Sequence, residues 1–78
     1  MNNIHIQLEL LATLKRFQPD SPGHFAVPEG TDIRRLAGIL EIPEYEINLI
    51  FIDGVKGNLQ SRLSGGERVS LFPPLDGG

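Results

Sequence analysis

The sequence predicts an α+β fold in which one mixed β-sheet packs on a single helix. Residues 4–10 alternate apolar and polar side chains, which is the period of a strand with one buried face. Residues 33–40 repeat apolar side chains at helical spacing. Three further apolar segments, at 24–28, 47–52 and 68–72, have the length of strands and are bounded by proline, glycine or acidic residues.

The first two strands are predicted to form a hairpin with a long, proline-rich connection. Leu11, Leu14 and Phe17 fall three apart, which favours a short helical turn after the first strand. Pro28 cannot donate to a sheet ladder, so it should lie at a strand end or on an edge. The first strand has an inward set, Ile4, Ile6, Leu8 and Leu10, and an outward set, His5, Gln7 and Glu9.

The helix is predicted to begin after Glu29-Gly30. Thr31 is the expected N-cap, and Asp32 places negative charge where the helix dipole favours it. Pro43 disfavours a helical conformation at the residue before it, so the helix should end near Leu40 or Glu41. The apolar stripe consists of Ile33, Leu36, Ala37 and Leu40.

The second half of the chain is predicted to hold three strands. The nearly continuous apolar run at 47–52 indicates a strand that is covered on both faces, or one whose outer face meets a partner. Asp53-Gly54 is a tight-turn signal, and 55–59 is expected to be a short extended piece. The strand at 68–72 ends at two prolines.

This order of elements fits a β-grasp (ubiquitin-like) fold. One helix covers one mixed sheet, which is the simplest two-layer way to bury both apolar faces. The first and last strands then pair in parallel at the centre. We expect a β-grasp domain at residues 1–72 and an extended C-terminal tail at residues 73–78.

Composition narrows the classes of function. The 78 residues include no cysteine, which excludes disulfides, thiolate metal sites and a cysteine nucleophile. The net charge of −3 disfavours nucleic-acid binding, which needs a basic surface. No run of about 20 apolar residues predicts a transmembrane helix, and the first residues lack the pattern of a secretory signal. We therefore expect one cytoplasmic domain with no membrane or nucleic-acid partner.

Three groups of residues away from the C-terminus are candidate sites, and each has a simpler explanation. His5 and His24 fall on outward strand positions without further ligands at metal spacing, so we expect solvated side chains and no metal site. Gly65-Gly66 precedes neither Lys-Ser/Thr nor a helix, which favours a turn over a phosphate loop. Three acidic residues without an enclosing cleft favour a solvated loop, or an acidic rim for a basic partner. They are Glu41, Glu44 and Glu46.

The C-terminal residues suit insertion into a partner. Pro73 and Pro74 remove ladder donors and hold the chain extended, and a tail of this length can reach about 20 Å. Gly77-Gly78 carries no side chain, so it fits a narrow tunnel, and the α-carboxylate of Gly78 is its only reactive group. A bare Gly-Gly end is more often a frayed terminus; the preceding prolines favour the tunnel.

Five short motifs, spread over essentially the whole chain, are shared with one known family. They are Leu11-Ala12-Thr13-Leu14 after the first strand, Pro28-Glu29-Gly30-Thr31 before the helix, Ile52-Asp53-Gly54 at a strand end, Leu63-Ser64-Gly65-Gly66-Glu67-Arg68-Val69 at a turn, and the terminal Phe72-Pro73-Pro74-Leu75-Asp76-Gly77-Gly78. In this order they resemble the MoaD/ThiS sulfur-carrier family, and within it most closely the small subunits of molybdopterin synthase.

The resemblance implies a sulfur carrier that is not an enzyme by itself. In this family an E1-like (MoeB-like) enzyme adenylates the C-terminal carboxylate with ATP and Mg²⁺, and the adenylate is exchanged for sulfur to give a thiocarboxylate. The tail then inserts into a larger MoaE-like subunit. There it donates sulfur to a pterin precursor for the dithiolene of the molybdenum or tungsten cofactor. The carrier itself binds no cofactor and no metal.

The same resemblance assigns roles to residues at the end of the chain. Gly78 would carry the sulfur, and Gly77 would let the tail pass into the channel of either partner. Phe72 and part of the Leu49–Ile52 strand are candidates for an apolar partner face, although they suit a core equally well. The threaded segment would be Pro73, Pro74, Leu75 and Asp76.

Three other functions stay open. A ThiS-like carrier for thiamine synthesis would use the same chemistry, but such chains usually lack Phe72-Pro73-Pro74. A ubiquitin-like modifier would conjugate Gly78 to lysines, and a structural β-grasp interaction module would have an inert tail.

Two positions depart from the family, since Leu11 replaces a common aromatic residue and Asp76 replaces a common small one.

Overall fold

The chain folds into a five-stranded mixed sheet, and its first strand is not at an edge of that sheet. The structure is a computed structural model that describes residues 2–74. The strand order is β2-β1-β5-β3-β4. Strand β1 pairs antiparallel with β2 and in parallel with β5, which pairs antiparallel with β3. The predicted mixed sheet with its central parallel pair is confirmed. The strands are β1 (Asn3–Leu10), β2 (Phe25–Pro28), β3 (Leu49–Ile52), β4 (Val55–Lys56) and β5 (Arg68–Phe72).

Helix α1 (Ile33–Leu40) covers one face of the sheet, and its N-cap differs from the prediction. The backbone N–H of Arg35 donates to Oδ1 of Asp32 at 2.8 Å, so Asp32 is the N-cap. The prediction that Thr31 is the N-cap is wrong. Its buried hydroxyl donates to the carbonyl of Pro28 at 2.6 Å and so does not cap the helix.

The loop after β4 completes the cap of α1. The N–H groups of Ile33 and Arg34 donate to the carbonyls of Ser61 and Leu59 at 3.1 and 3.0 Å. These are two of the four N–H groups that a helix cannot satisfy internally. The expected extended piece at 55–59 is therefore a strand only at β4, because the following residues leave the sheet to reach the helix.

Three short 3-10 helices, η1 (Ala12–Phe17), η2 (Pro22–His24) and η3 (Glu44–Glu46), connect these elements. Helix η1 matches the helical turn expected after β1. Pro22 begins η2 because its fixed φ suits a first helical position, so the second strand starts at Phe25 and not at His24. Helix η3 delays the third strand, which begins at Leu49 and not at residue 47.

The core lies between α1 and the inner face of the sheet. Alternation along β1 and β5 sends every second side chain inward, as predicted. Leu14 from η1 is fully buried and closes one end of this core. The buried apolar set is Ile6, Leu8, Leu10, Leu14, Val27, Ile33, Leu36, Ala37, Leu40, Ile42, Ile50, Leu63, Val69 and Leu71. Within residues 2–74, no helix is long and apolar enough to cross a membrane.

Two predicted turns have the backbone geometry that their residues favour. Asp53 and Gly54 both adopt positive φ, 52° and 80°, as a two-residue hairpin turn requires. Gly65 has a φ of 115°, and a Cβ there would lie 3.4 Å from the side chain of Ile4. Gly65-Gly66 therefore forms a turn that packs against β1.

The carboxylate of Glu67 holds the second turn closed. It accepts hydrogen bonds from the N–H of Ser64 at 2.8 Å, from the hydroxyl of Ser64 at 3.0 Å and from the N–H of Gly65 at 2.7 Å. Partial burial raises the pKa of Glu67, but these hydrogen bonds outweigh it, so the pKa lies below its ordinary value of 4.5.

Replacement of Glu67 by Gln tests the contribution of this turn. A lowered folded pKa means that ionised Glu67 stabilises the fold above about pH 4.5, and that this is lost as the pH falls through the folded pKa. We expect E67Q to lower the free energy of unfolding by about 1 kcal/mol at pH 7 and to flatten its decline between pH 5 and 3. Urea titrations at several pH values measure both. Equal pH profiles for E67Q and the exposed-site control E29Q would contradict this role.

Helix α1 ends in a left-handed residue that is not glycine. Glu41 has φ 62° and ψ 35°, and the N–H of Ile42 reaches back to the carbonyl of Ala37 at 2.8 Å. This is the Schellman arrangement, in which glycine is the usual left-handed residue.

Replacement of Glu41 by Gly is therefore expected to stabilise the protein. The left-handed conformation costs an L-residue about 1–2 kcal/mol, and the added chain entropy of glycine offsets part of this gain. We expect E41G to raise the free energy of unfolding by about 0.5 kcal/mol, measured by urea denaturation. The control is K15G, at an exposed position of η1, which should destabilise. A loss of stability in E41G would show that its side chain outweighs the backbone effect.

Candidate functional site

The last strand ends between two segments that hold its final carbonyl groups. The N–H of Leu11 donates to the carbonyl of Leu71 at 3.1 Å, and the N–H of Asn48 donates to the carbonyl of Phe72 at 2.7 Å. Because β5 lies between β1 and β3, both neighbours contribute to this anchor. We call Leu71 and Phe72 the tail base, and the two hydrogen bonds to their carbonyls the anchor.

The prolines follow directly at this anchored end. Pro73 is half-buried and Pro74 is exposed, and neither has an N–H to donate. The remaining sequence-predicted site residues, Leu75, Asp76, Gly77 and Gly78, lie outside the described residues. Their assignment as threaded segment and sulfur-bearing end stays a prediction.

An apolar cluster lies beside the anchor on the outer face of the sheet, opposite α1. Ile50 is buried in the core and Ile52 packs against it, so the alternating Leu49 and Phe51 point to the other face. Phe72 is the register partner of Leu49. The rings of Phe51 and Phe72 meet edge-to-face, with centroids 5.7 Å apart and planes at 82°. We call Leu49, Phe51 and Phe72 the outer patch.

The outer patch decides between the two interpretations of the apolar run at 47–52. All three side chains are only half-buried, whereas a strand covered on both faces would bury them. Among residues 2–74, the outer half of β3 is therefore only partly covered. The sequence of residues 49–52 indicates that alternate side chains share a face. Only the register of β3 with β5 shows which of the two faces points outward.

Polar groups border the outer patch on both sides. The hydroxyl of Ser70, next to Phe51 across the ladder, donates to Oε1 of Glu9 at 2.9 Å. Lys56 is the partner of Phe51 on the opposite side, at the edge of the sheet. An apolar centre with a charged rim is the usual composition of a protein-binding surface.

Two of the three acidic residues before β3 pair with arginines of the same chain. Oε1 of Glu46 lies 2.6 Å from Nη2 of Arg16, and Oε2 of Glu44 lies 3.2 Å from Nε of Arg34. Glu41 ends α1 instead. The predicted acidic rim is thus partly neutralised, because η3 lies close to both η1 and α1.

The two histidines are exposed, as predicted, but they also contact each other. Their rings stack in parallel, with centroids 3.9 Å apart and planes at 6°. His24 is the last residue of η2, and its ring meets His5 on the outward side of β1. Strand alternation alone does not predict this contact. Among residues 2–74, no three His, Asp or Glu side chains lie together as a metal site would require.

The contact between Phe51 and Phe72 can be measured by a double-mutant cycle. Edge-to-face aromatic pairs contribute about 0.5–1.5 kcal/mol beyond the area that they bury. We expect F51L and F72L to show a coupling energy of about 1 kcal/mol in urea denaturation. The matched control pairs F51L with F25L, because Phe25 lies on β2, at the far side of the sheet, and should give additive effects. Additivity in both cycles would rule out the aromatic contact.

Solved structures of other proteins share this fold, although the sequences are distant. No family model and no curated protein sequence matches the chain. The solution structure of the HVO 2177 protein of Haloferax volcanii aligns with a TM-score of 0.75 and 19% identity, covering 97% of this chain and 88% of that one.

Two further structures align over nearly their whole length. A protein of Pyrococcus furiosus assigned as molybdopterin converting factor, subunit 1, gives a TM-score of 0.63 and 18% identity, covering 92% of this chain and 99% of that one. SAMP1 of Haloferax volcanii gives 0.62 and 18%, covering 95% and 99%. The chain therefore has the β-grasp fold that these proteins share.

Proposed function

We propose that this protein is a sulfur carrier whose C-terminal Gly78 is converted to a thiocarboxylate. The observation that carries the proposal is the end of β5, where the carbonyls of Leu71 and Phe72 are both held and two prolines follow. If the residues after this fixed base are extended, as the sequence predicts, they would present the carboxylate of Gly78 at a distance from the domain. The outer patch lies beside that base.

The comparisons support this proposal at the level of fold. One of the similar structures is assigned as a molybdopterin converting factor subunit. The terminal Phe-Pro-Pro-X-X-Gly-Gly of this chain points the same way. We propose that the carrier serves the dithiolene of molybdopterin as the small subunit of a molybdopterin synthase, in preference to a ThiS-like role in thiamine synthesis.

The proposed chemistry needs only the terminal carboxylate from this chain. A carboxylate oxygen of Gly78 attacks the α-phosphate of ATP, which releases pyrophosphate and gives an acyl-adenylate. Hydrosulfide then attacks the carbonyl carbon, and AMP leaves with the bonding electrons, which gives the thiocarboxylate. The sulfur of the thiocarboxylate attacks an electrophilic carbon of the acceptor, whose oxygen leaving group departs with its bonding electrons, and a thioester forms. Water then attacks the carbonyl carbon of this thioester, the acyl C–S bond breaks with its electrons on sulfur, and the carboxylate of Gly78 is restored. ATP and Mg²⁺ belong to the E1-like activating enzyme, so this chain binds no cofactor.

We also propose which surfaces would contact the partners. The outer patch would contact a MoaE-like large subunit, while Pro73, Pro74, Leu75 and Asp76 thread into its channel. Gly77 would pass where a Cβ is excluded. The same tail would enter the MoeB-like activating enzyme. The carrier contributes no catalytic side chain, and we place the exchange in the cytoplasm.

A ubiquitin-like modifier is the second candidate, favoured by the likeness to SAMP1. Activation of Gly78 would be the same, but a lysine amine would attack the acyl group and leave an isopeptide bond. The two functions differ only in the nucleophile that arrives after activation. The product of the reaction therefore separates them.

Intact mass spectrometry after incubation with ATP, a sulfur donor and the activating enzyme tests the proposal. We expect the mass gain of one oxygen replaced by one sulfur, because sulfur displaces AMP at the carbonyl carbon. Deletion of Gly78 should abolish this gain while thermal unfolding stays unchanged. The control E29A, at the sheet end opposite the tail, should react as the wild type does.

Each result has one meaning. A sulfur-sized gain supports the carrier, and an isopeptide-linked adduct supports the modifier. An unchanged mass in the wild type would leave only an interaction module with an inert tail. Retained sulfur exchange after deletion of Gly78 would overturn the assignment of that residue.

A further inference from the structure

The end of β5 is flanked by two 3-10 helices that an ion pair joins. Helix η1 follows β1 and η3 precedes β3, so they lie on the two sides of the strand that leads into the tail. Nη2 of Arg16 in η1 and Oε1 of Glu46 in η3 are 2.6 Å apart. The pair thus connects segments 30 residues apart in sequence, across the exit of the tail.

Arg16 is held in place by contacts besides this ion pair. Its guanidinium carbon lies 4.6 Å from the ring centroid of Phe17, and Nη1 reaches the carbonyl of Thr13 at 3.4 Å. A guanidinium that is already oriented loses less conformational entropy when it binds a carboxylate. The carboxylate side is also shielded, since the side chain of Glu46 is only 20% exposed.

The second ion pair on η3 provides a contrast. The Arg34–Glu44 distance is 3.2 Å, and the two side chains are 59% and 49% exposed. It joins η3 to α1 and does not involve η1. An exposed pair of this kind contributes little. One 3-10 helix thus carries two glutamates with arginine partners, only one of which lies in η1.

The anchors of the tail lie next to the ends of this ion pair. Leu11, whose N–H holds Leu71, immediately precedes η1, and η1 is fixed by the fully buried Leu14. Asn48, whose N–H holds Phe72, lies two residues after η3, and the intervening Ile47 packs against the core. The ion pair therefore joins the two segments next to the N–H groups that hold the carbonyls of Leu71 and Phe72.

We propose that Arg16 and Glu46 are positioning residues that keep the tail base in one orientation for the reaction of Gly78. Their ion pair fixes the spacing of η1 and η3, which keeps both carbonyls of the tail base bound. The part that concerns the reaction rests on the proposed function. The part that concerns the anchor does not.

Amide hydrogen exchange tests the anchor without any partner. In E46Q we expect the Leu11 and Asn48 amides to exchange about two- to fivefold faster, the range that loss of one partly shielded ion pair allows. The amide of Val69, at the centre of β5, should be unchanged. The matched control E44Q removes the same charge from the same 3-10 helix and should leave all three amides unchanged.

Kinetics of the activating enzyme test the effect on the reaction. We expect E46Q to raise KM for the carrier by about two- to fivefold with little change in kcat, because the tail is less well positioned before binding. E44Q should match the wild type. The charge-swapped double variant R16E/E46R should recover at least half of the loss in KM and in exchange protection. Melting temperatures of E46Q and E44Q within about 4 °C of each other would show that the fold is intact.

The outcomes separate the positioning role of Arg16 and Glu46 from the proposed function of the protein as a sulfur carrier. Equal exchange at Leu11 and Asn48 in E46Q and E44Q overturns the positioning role, whatever the enzyme does. Faster exchange in E46Q with an unchanged KM confirms the anchor and overturns its role in the reaction. A wild-type chain that no activating enzyme modifies overturns the proposed function, and the exchange data then still decide whether the ion pair holds the tail base.

Discussion

The parallel pairing of β1 with β5 places the other elements of this small chain. Four register pairs, from Gln7–Arg68 to Leu10–Leu71, hold the first and last strands together at the centre of the sheet. Antiparallel partners on each side, β2 and β3, then complete the sheet. Because the sequence has no cysteine to form a disulfide, this ladder and the core beneath it hold the fold.

The same pairing puts the parts of the candidate site at one end of the sheet. Because β1 and β5 run in the same direction, their C-terminal ends lie at the same end of the sheet. The start of the antiparallel strand β3 lies there too. The outer patch, the held carbonyls and the two prolines therefore lie together. A domain too small to build a deep pocket can still present a surface and a tail at one place.

Much of the fold could be predicted from local patterns, and much of the site could not. The strand predicted from the alternation in residues 4–10 and the turn predicted from Asp53-Gly54 each depend only on neighbours in sequence, and both predictions are confirmed. The contacts of His5 with His24 and of Arg16 with Glu46 depend on how separate loops are brought together. Thr31 and Asp32 were equally good caps by residue type, and only the carbonyl of Pro28 distinguished them.

The central position of the last strand also has a mechanical consequence. A force applied to the tail acts along β5, and its hydrogen bonds to β1 and β3 are loaded together in shear and not opened one after another. Shear spreads the load over both ladders, so the strand resists extraction far better than an edge strand that can be peeled. A pull on the end of β5 must therefore break both ladders at once before the strand leaves the sheet.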